Sequence, residues 1–231
     1  MIDTILWDVD GTLLDFKAAE RAALKALFPA FGLGVCTDAM IARYSVINVG
    51  YWERLERGEL TKTQALTGRF ECFFQEYGFD PQIVAAFNDA YQGKLADTII
   101  FLDDSLRLVK ELKGTVRQYA VSNGTIAAQT KKLKRSSLDQ YLDGVFLSEQ
   151  LGVEKPHPVF FEKLFSSIGP EARATALIVG DSLTSDIRGG MNAGIRTCWY
   201  NPQRKPVPDA YRVDVVISDL REIKDILSRE R

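Results

Sequence analysis

A short apolar run that ends on two carboxylates constrains this chain more than any other feature. Ile5-Leu6-Trp7 reads as a buried strand within 2–8, and Asp8-Val9-Asp10-Gly11-Thr12 follows it. Gly11 breaks the strand, so both carboxylates sit at its end. Two aspartates at i and i+2 on an extended backbone point to one side. Held that close they disfavour joint ionisation, so a divalent cation, a shared proton or a nearby lysine must compensate.

From Lys17 to about Leu95 no strand pattern is evident. Apolar residues recur at helical spacing, as in Ala19, Ala22, Ala23, Ala26 and Leu27. Thr61-Lys62-Thr63-Gln64 is a capping-box pattern, with Gly58 before it as a stop. Gly78 ends the next helix, and Asp80-Pro81 starts another, aspartate as N-cap and proline at the first helical position. The segment therefore predicts about four helices. Beyond it, strands return at 116–122, 144–147, 174–180, 195–200 and 213–217. Helices near 103–113, 125–136, 157–167 and 184–193 separate them, and a last one starts at Asp219. This alternation predicts a doubly wound, Rossmann-like α/β core with a parallel sheet, built from 1–15 and 97–231. An all-helical block, 16–96, interrupts it after the first strand.

In such a sheet, ligands bind beyond the carboxyl ends of the strands. The first strand ends in Asp8 to Thr12, the second in Val121-Ser122-Asn123-Gly124, and the strand at 174–180 in Gly180-Asp181-Ser182-Leu183-Thr184-Ser185-Asp186. Glu154-Lys155-Pro156-His157-Pro158 precedes a helix. A hydroxyl, a lysine and four aspartates thus gather at one edge. His157, the one histidine, sits between two prolines and reads as a helix cap.

These four segments, in this order and spacing, resemble the four motifs of the haloacid dehalogenase superfamily, whose members are mostly phosphatases. The resemblance covers nearly the whole chain and makes the helical block a cap domain. It implies Asp8 as nucleophile and Asp10 as general acid and then base. It implies magnesium on Asp8, the Asp10 backbone carbonyl and Asp181, with Asp186 supporting from behind. Ser122 would hydrogen-bond a phosphoryl oxygen, with backbone N–H groups around Gly11 and Asn123, while Lys155 neutralises charge on Asp8 and the phosphoryl group. Dehalogenases of the superfamily lack the second carboxylate of the first motif, so Asp10 favours phosphoryl chemistry.

The segments Asn48-Val49-Gly50-Tyr51-Trp52, Gly58-Glu59-Leu60-Thr61 and Arg69-Phe70-Glu71, with 189–201, are similar to those of a group of pyrimidine 5′-nucleotidases in that superfamily. The resemblance implies a pyrimidine nucleoside 5′-monophosphate as substrate. Trp52, Tyr51 or Phe70 would stack on the base, and Asn48 or Arg69 would bond its edge. The rival readings are a sugar-phosphate phosphatase or phosphomutase, and a non-catalytic binding protein on the same fold. Intact Asp8, Asp10, Ser122, Lys155 and Asp181 weigh against the last.

Bulk properties narrow the partners. Net charge is −2, and Lys131-Lys132-Leu133-Lys134-Arg135 reads as a solvated helix face rather than a nucleic-acid patch. The expectation is a small phosphomonoester as ligand and no nucleic-acid polymer. The three cysteines, Cys36, Cys72 and Cys198, form no CxxC pair and read as reduced core thiols. No signal peptide is evident, and no apolar run approaches the roughly 20 residues of a membrane span. A cytoplasmic monomer or weak homodimer is expected.

Overall fold

Six strands organise the fold in a computed structural model that describes residues 1–229. They are β1 (Thr4–Trp7), β2 (Arg117–Ser122), β3 (Gly144–Leu147), β4 (Ala176–Gly180), β5 (Arg196–Tyr200) and β6 (Val215–Ile217). They form one sheet in the order β3-β2-β1-β4-β5-β6, and every neighbouring pair is parallel. Trp7 is in register with Ala120 on β2 and with Val179 on β4. The order reverses direction at β1, so β1 and β4 flank the switch point where such sheets bind ligands. Both faces of β1 are buried, which explains its unbroken apolar run. Ile5 and Trp7 join one core cluster and Leu6 the other.

The chain divides into two units. One comprises Met1–Phe16 and the chain from Ile99 onward; the other comprises Lys17–Thr98. Helix α1 (Phe16–Ala30) begins at the division, and α2 (Asp38–Glu56), α3 (Lys62–Tyr77) and α4 (Val84–Leu95) complete the helical unit. The cap signals work as chemistry demands. The Thr61 hydroxyl accepts from the Gln64 N–H while the Gln64 side chain accepts from the Thr61 N–H. Gly78 closes α3 at φ 71°. The Asp80 side chain caps a short 3₁₀ turn at Pro81–Ile83 that leads into α4. Phe28, Tyr44, Phe70, Phe73, Phe74, Phe87 and Tyr91 are fully buried.

The sheet unit continues with α5 (Ser105–Leu112), α6 (Ile126–Ser136), α7 (Ser148–Leu151), α8 (Pro158–Ile168), α9 (Arg188–Ala193) and α10 (Ile223–Arg229). Leu108, Val109, Leu133, Ile223 and Leu227 cover one face of the sheet. Phe160, Phe161, Leu164, Phe165 and Ala193 cover the other. The helix anticipated at 184–193 is shorter. A π-turn over Leu183–Ile187 precedes α9, and π-turns of this kind re-aim side chains at functional sites. The last strand also begins later than the pattern at 213–217 suggests. Among the described residues, no helix is long and apolar enough to cross a membrane.

Candidate active site

The ends of β1, β2 and β4 meet around one buried ammonium. Lys155 is 1% exposed. Its Nζ donates to Asp8 Oδ1 at 2.9 Å, to Asp186 Oδ1 at 2.6 Å and to the Val121 carbonyl at 2.8 Å. All three donor positions of the ammonium are used. Burial alone would lower its pKa, but the Asp186 and Asp8 carboxylates reverse that and hold it above the ordinary lysine value. The Lys155 backbone is fixed too. Asn123 Nδ2 donates to the Lys155 carbonyl and Asn123 Oδ1 accepts from the Lys155 N–H, each at 2.8 Å. The Asn123 side chain is therefore a clamp on Lys155, which leaves its backbone N–H as the group to meet an anion.

The carboxylates crowd together. One oxygen each from Asp8, Asp181 and Asp186 lie within 4.8 Å of one another. Burial first, and then the Asp186 charge, push the Asp8 carboxyl up to about 7. Asp181 is reachable by solvent, yet lost solvation and then the charges of Asp8 and Asp186 push it well above its ordinary value. Asp186 is anchored by Lys155 and by the Ser182 N–H, which donates to Oδ2 at 3.1 Å. Asp186 is fully buried, and its two oxygens are both engaged in these bonds. Three carboxylates facing one lysine carry surplus negative charge, and hard oxygen donors suit a small divalent cation. The donor set fits magnesium.

Two glycines permit the crowding. A Cβ on Gly11, at φ 93°, would lie 2.6 Å from Asp181 Oδ2, and one on Gly180 would lie 2.2 Å from Asp186 Oδ2. Ser122 is buried, and its Oγ accepts from the Gly124 N–H at 3.0 Å. His157 caps α8, its Nδ1 accepting from the Val159 N–H, as its position between two prolines suggests.

Several participants escaped the sequence reading. The Thr12 hydroxyl accepts from the Asp181 N–H at 3.0 Å and donates to Asp8 Oδ2 at 3.2 Å, joining the loops after β1 and β4. Trp199 Nε1 donates to the Asp181 carbonyl at 2.9 Å. The run 131–135 needs correction. Lys131, Lys134 and Arg135 are exposed, but Lys132 is buried and its Nζ lies 2.6 Å from Asp10 Oδ1. A run of like charges along a helix hides which lysine turns inward.

In the helical unit, Asn48 and Arg69 also need correction as base-edge contacts, because their polar atoms are engaged internally. Arg69, 1% exposed, donates to Asn48 Oδ1 at 2.6 Å, the Leu66 carbonyl at 3.2 Å and Asn88 Oδ1 at 3.4 Å. Asn48 Nδ2 donates to Glu20 Oε2 at 3.0 Å. Trp52 is half-buried with the Arg69 guanidinium 5.9 Å from its ring. Phe70 is fully buried and stacks on Tyr44, so it is core rather than a base platform.

Comparison with known proteins finds relatives over nearly the whole chain. The family model of haloacid dehalogenase-like hydrolases covers residues 2–194. The putative HAD-hydrolase YfnB of Bacillus subtilis is 36% identical over 98% of this chain and 96% of its own length. Its crystal structure, solved bound to magnesium, superposes with a TM-score of 0.90 over 98% of both chains. The pyrimidine 5′-nucleotidase PynA of Streptococcus pneumoniae is 38% identical over 86% of this chain and 83% of its own. The pyrimidine 5′-nucleotidase YjjG of Escherichia coli is 29% identical over 98% of each.

Proposed function

Because the chain belongs to the haloacid dehalogenase-like hydrolases, we propose that it is a magnesium-dependent phosphatase acting on a pyrimidine nucleoside 5′-monophosphate. The observation that carries this reading is the buried Lys155 ammonium spanning Asp8 and Asp186 at the end of β1. A binding protein has no use for a carboxylate so prepared. Identity to the nucleotidases PynA and YjjG supports the choice of substrate.

A carboxylate oxygen of Asp8 attacks phosphorus, and the bond from phosphorus to the ester oxygen breaks. Asp10 gives its proton to that oxygen, which leaves as the nucleoside 5′-hydroxyl. Asp10, now a carboxylate, takes a proton from water as the water oxygen attacks the aspartyl-phosphate. The bond from phosphorus to Asp8 breaks and inorganic phosphate departs. Lys155 offsets negative charge on Asp8, while the Ser122 hydroxyl and the N–H groups near Gly11 and Asn123 hold the phosphoryl oxygens. Magnesium would be held by Asp8, Asp181 and the Asp10 backbone carbonyl, with Asp186 in support, and would supply charge neutralisation at the phosphoryl group. Trp52 is the side chain assigned to stack on the pyrimidine.

The test is phosphate release from p-nitrophenyl phosphate, nucleoside monophosphates and sugar phosphates, with and without magnesium. Activity that needs magnesium, favours pyrimidine nucleotides and vanishes in Asp8→Asn is the expected result. Trp52→Ala lowers kcat/KM for the nucleotide more than for the aryl ester; equal losses count against stacking. Phosphate returned to the substrate instead of water would indicate a mutase, and an inert unmodified protein would remove the enzyme reading.

A further inference from the structure

Helix α6 sends two buried side chains to Asp10. Gln129 Nε2 donates to Asp10 Oδ2 at 2.5 Å, and Lys132 Nζ donates to Asp10 Oδ1 at 2.6 Å. Gln129 is 1% exposed and Lys132 2%. Spaced i and i+3, they lie on one face of the helix. The approach is prepared at Gly124, where a Cβ would lie 2.3 Å from Gln129 Nε2. The Phe16 ring lies 5.4 Å from the Lys132 ammonium. Burying an ammonium is unfavourable unless it is paired, and here the pair is the aspartate two residues beyond the nucleophile.

We propose that Lys132, with Gln129, is a positioning residue that fixes the Asp10 carboxyl group for proton transfer. One donor on each oxygen sets the plane of the group. Each oxygen keeps a lone-pair site for the proton that Asp10 gives and takes. The proposal rests on the reading of Asp10 as acid and base. It predicts a loss that depends on the leaving group, since a nitrophenolate departs without a proton whereas an alkoxide does not.

The experiment measures kcat/KM for p-nitrophenyl phosphate, phenyl phosphate and an alkyl phosphate. Lys132→Met lowers the value for the alkyl ester by about 10- to 100-fold and that for the nitrophenyl ester by less than about threefold, with phenyl phosphate between. Lys132→Arg restores most of the loss. Gln129→Leu, which alters no charge, shows the same selective pattern and serves if Lys132→Met does not fold. In an Asp10→Asn background, Lys132→Met causes no further loss on the alkyl ester. Equal losses on all three esters, or an undiminished loss in the Asp10→Asn background, overturn the proposal while the phosphatase reading stands. An unmodified protein inactive on all three esters overturns both.

Discussion

Two hydrogen atoms decide how closely the carboxylates approach. Gly180 and Gly11 lack the Cβ atoms that would meet Asp186 and Asp181. Asp186 has little freedom to retreat, because Lys155 and the Ser182 N–H hold its two oxygens. Gly180→Ala therefore forces Asp186 outward and moves Lys155 with it. Overpacking of this kind costs about 1–3 kcal/mol. Displacing a catalytic constellation by about 1 Å lowers turnover on the order of 100-fold. The expected outcome is a variant that unfolds at a modestly lower urea concentration yet loses most of its kcat/KM on p-nitrophenyl phosphate. Full activity in a folded variant would mean that Asp186 does not fix Lys155. The same logic separates Thr12, whose hydroxyl touches the backbone of one loop and the carboxylate of another, from a serine or threonine that merely ends a strand.

At the scale of elements, the polar network of the helical unit ties all four of its helices. Glu20 on α1 receives Asn48 of α2 and Tyr91 of α4, and Arg69 of α3 reaches Asn48 and Asn88. Burial raises the Glu20 carboxyl, and the Arg69 charge is among the influences opposing that rise. Arg69→Leu removes the one cation of the network, and breaking a buried charge arrangement costs about 3–5 kcal/mol. Glu20 relieves part of this by taking up a proton, so the deficit grows as pH rises above the ordinary carboxylate range. Urea titrations of Arg69→Leu at acid and neutral pH check the trend, and Glu20→Gln in the same chain narrows the difference between them. A deficit independent of pH would remove Glu20 from the account. The ends of these helices were legible because Thr61, Gln64, Gly78, Asp80 and Pro81 act through local backbone chemistry. The network was not, because a polar residue at helical spacing reads alike whether it faces solvent or a neighbouring helix. Arg69, Asn48 and Lys132 share that ambiguity, and only packing resolves it. The site segments at the strand ends were legible because a parallel sheet delivers its carboxyl ends to one edge.

Across the whole molecule, the sheet order converts separation in sequence into proximity. Asp8 follows β1 at the switch point, Asp181 and Asp186 follow β4 on one side, and Val121 lies one residue before the end of β2 on the other. The assembled carboxylates then make folding depend on protons. Asp8, raised to about 7 by burial and by Asp186, binds its proton more tightly in the folded chain than in the unfolded one. The stability linked to that proton is fully present below the ordinary value of 3.8 and is lost as pH rises to about 7. A cation that binds the same oxygens competes with the protons. The increase in Tm on adding magnesium therefore grows from about pH 5 to about pH 8. At a concentration 100 times its dissociation constant, a ligand specific to the folded state stabilises by about 2.7 kcal/mol. Thermal unfolding with and without magnesium across this range gives the measurement, and Asp181→Asn should flatten the increment by withdrawing one carboxylate. An increment that ignores pH, or that survives Asp181→Asn unchanged, would place magnesium elsewhere on the chain.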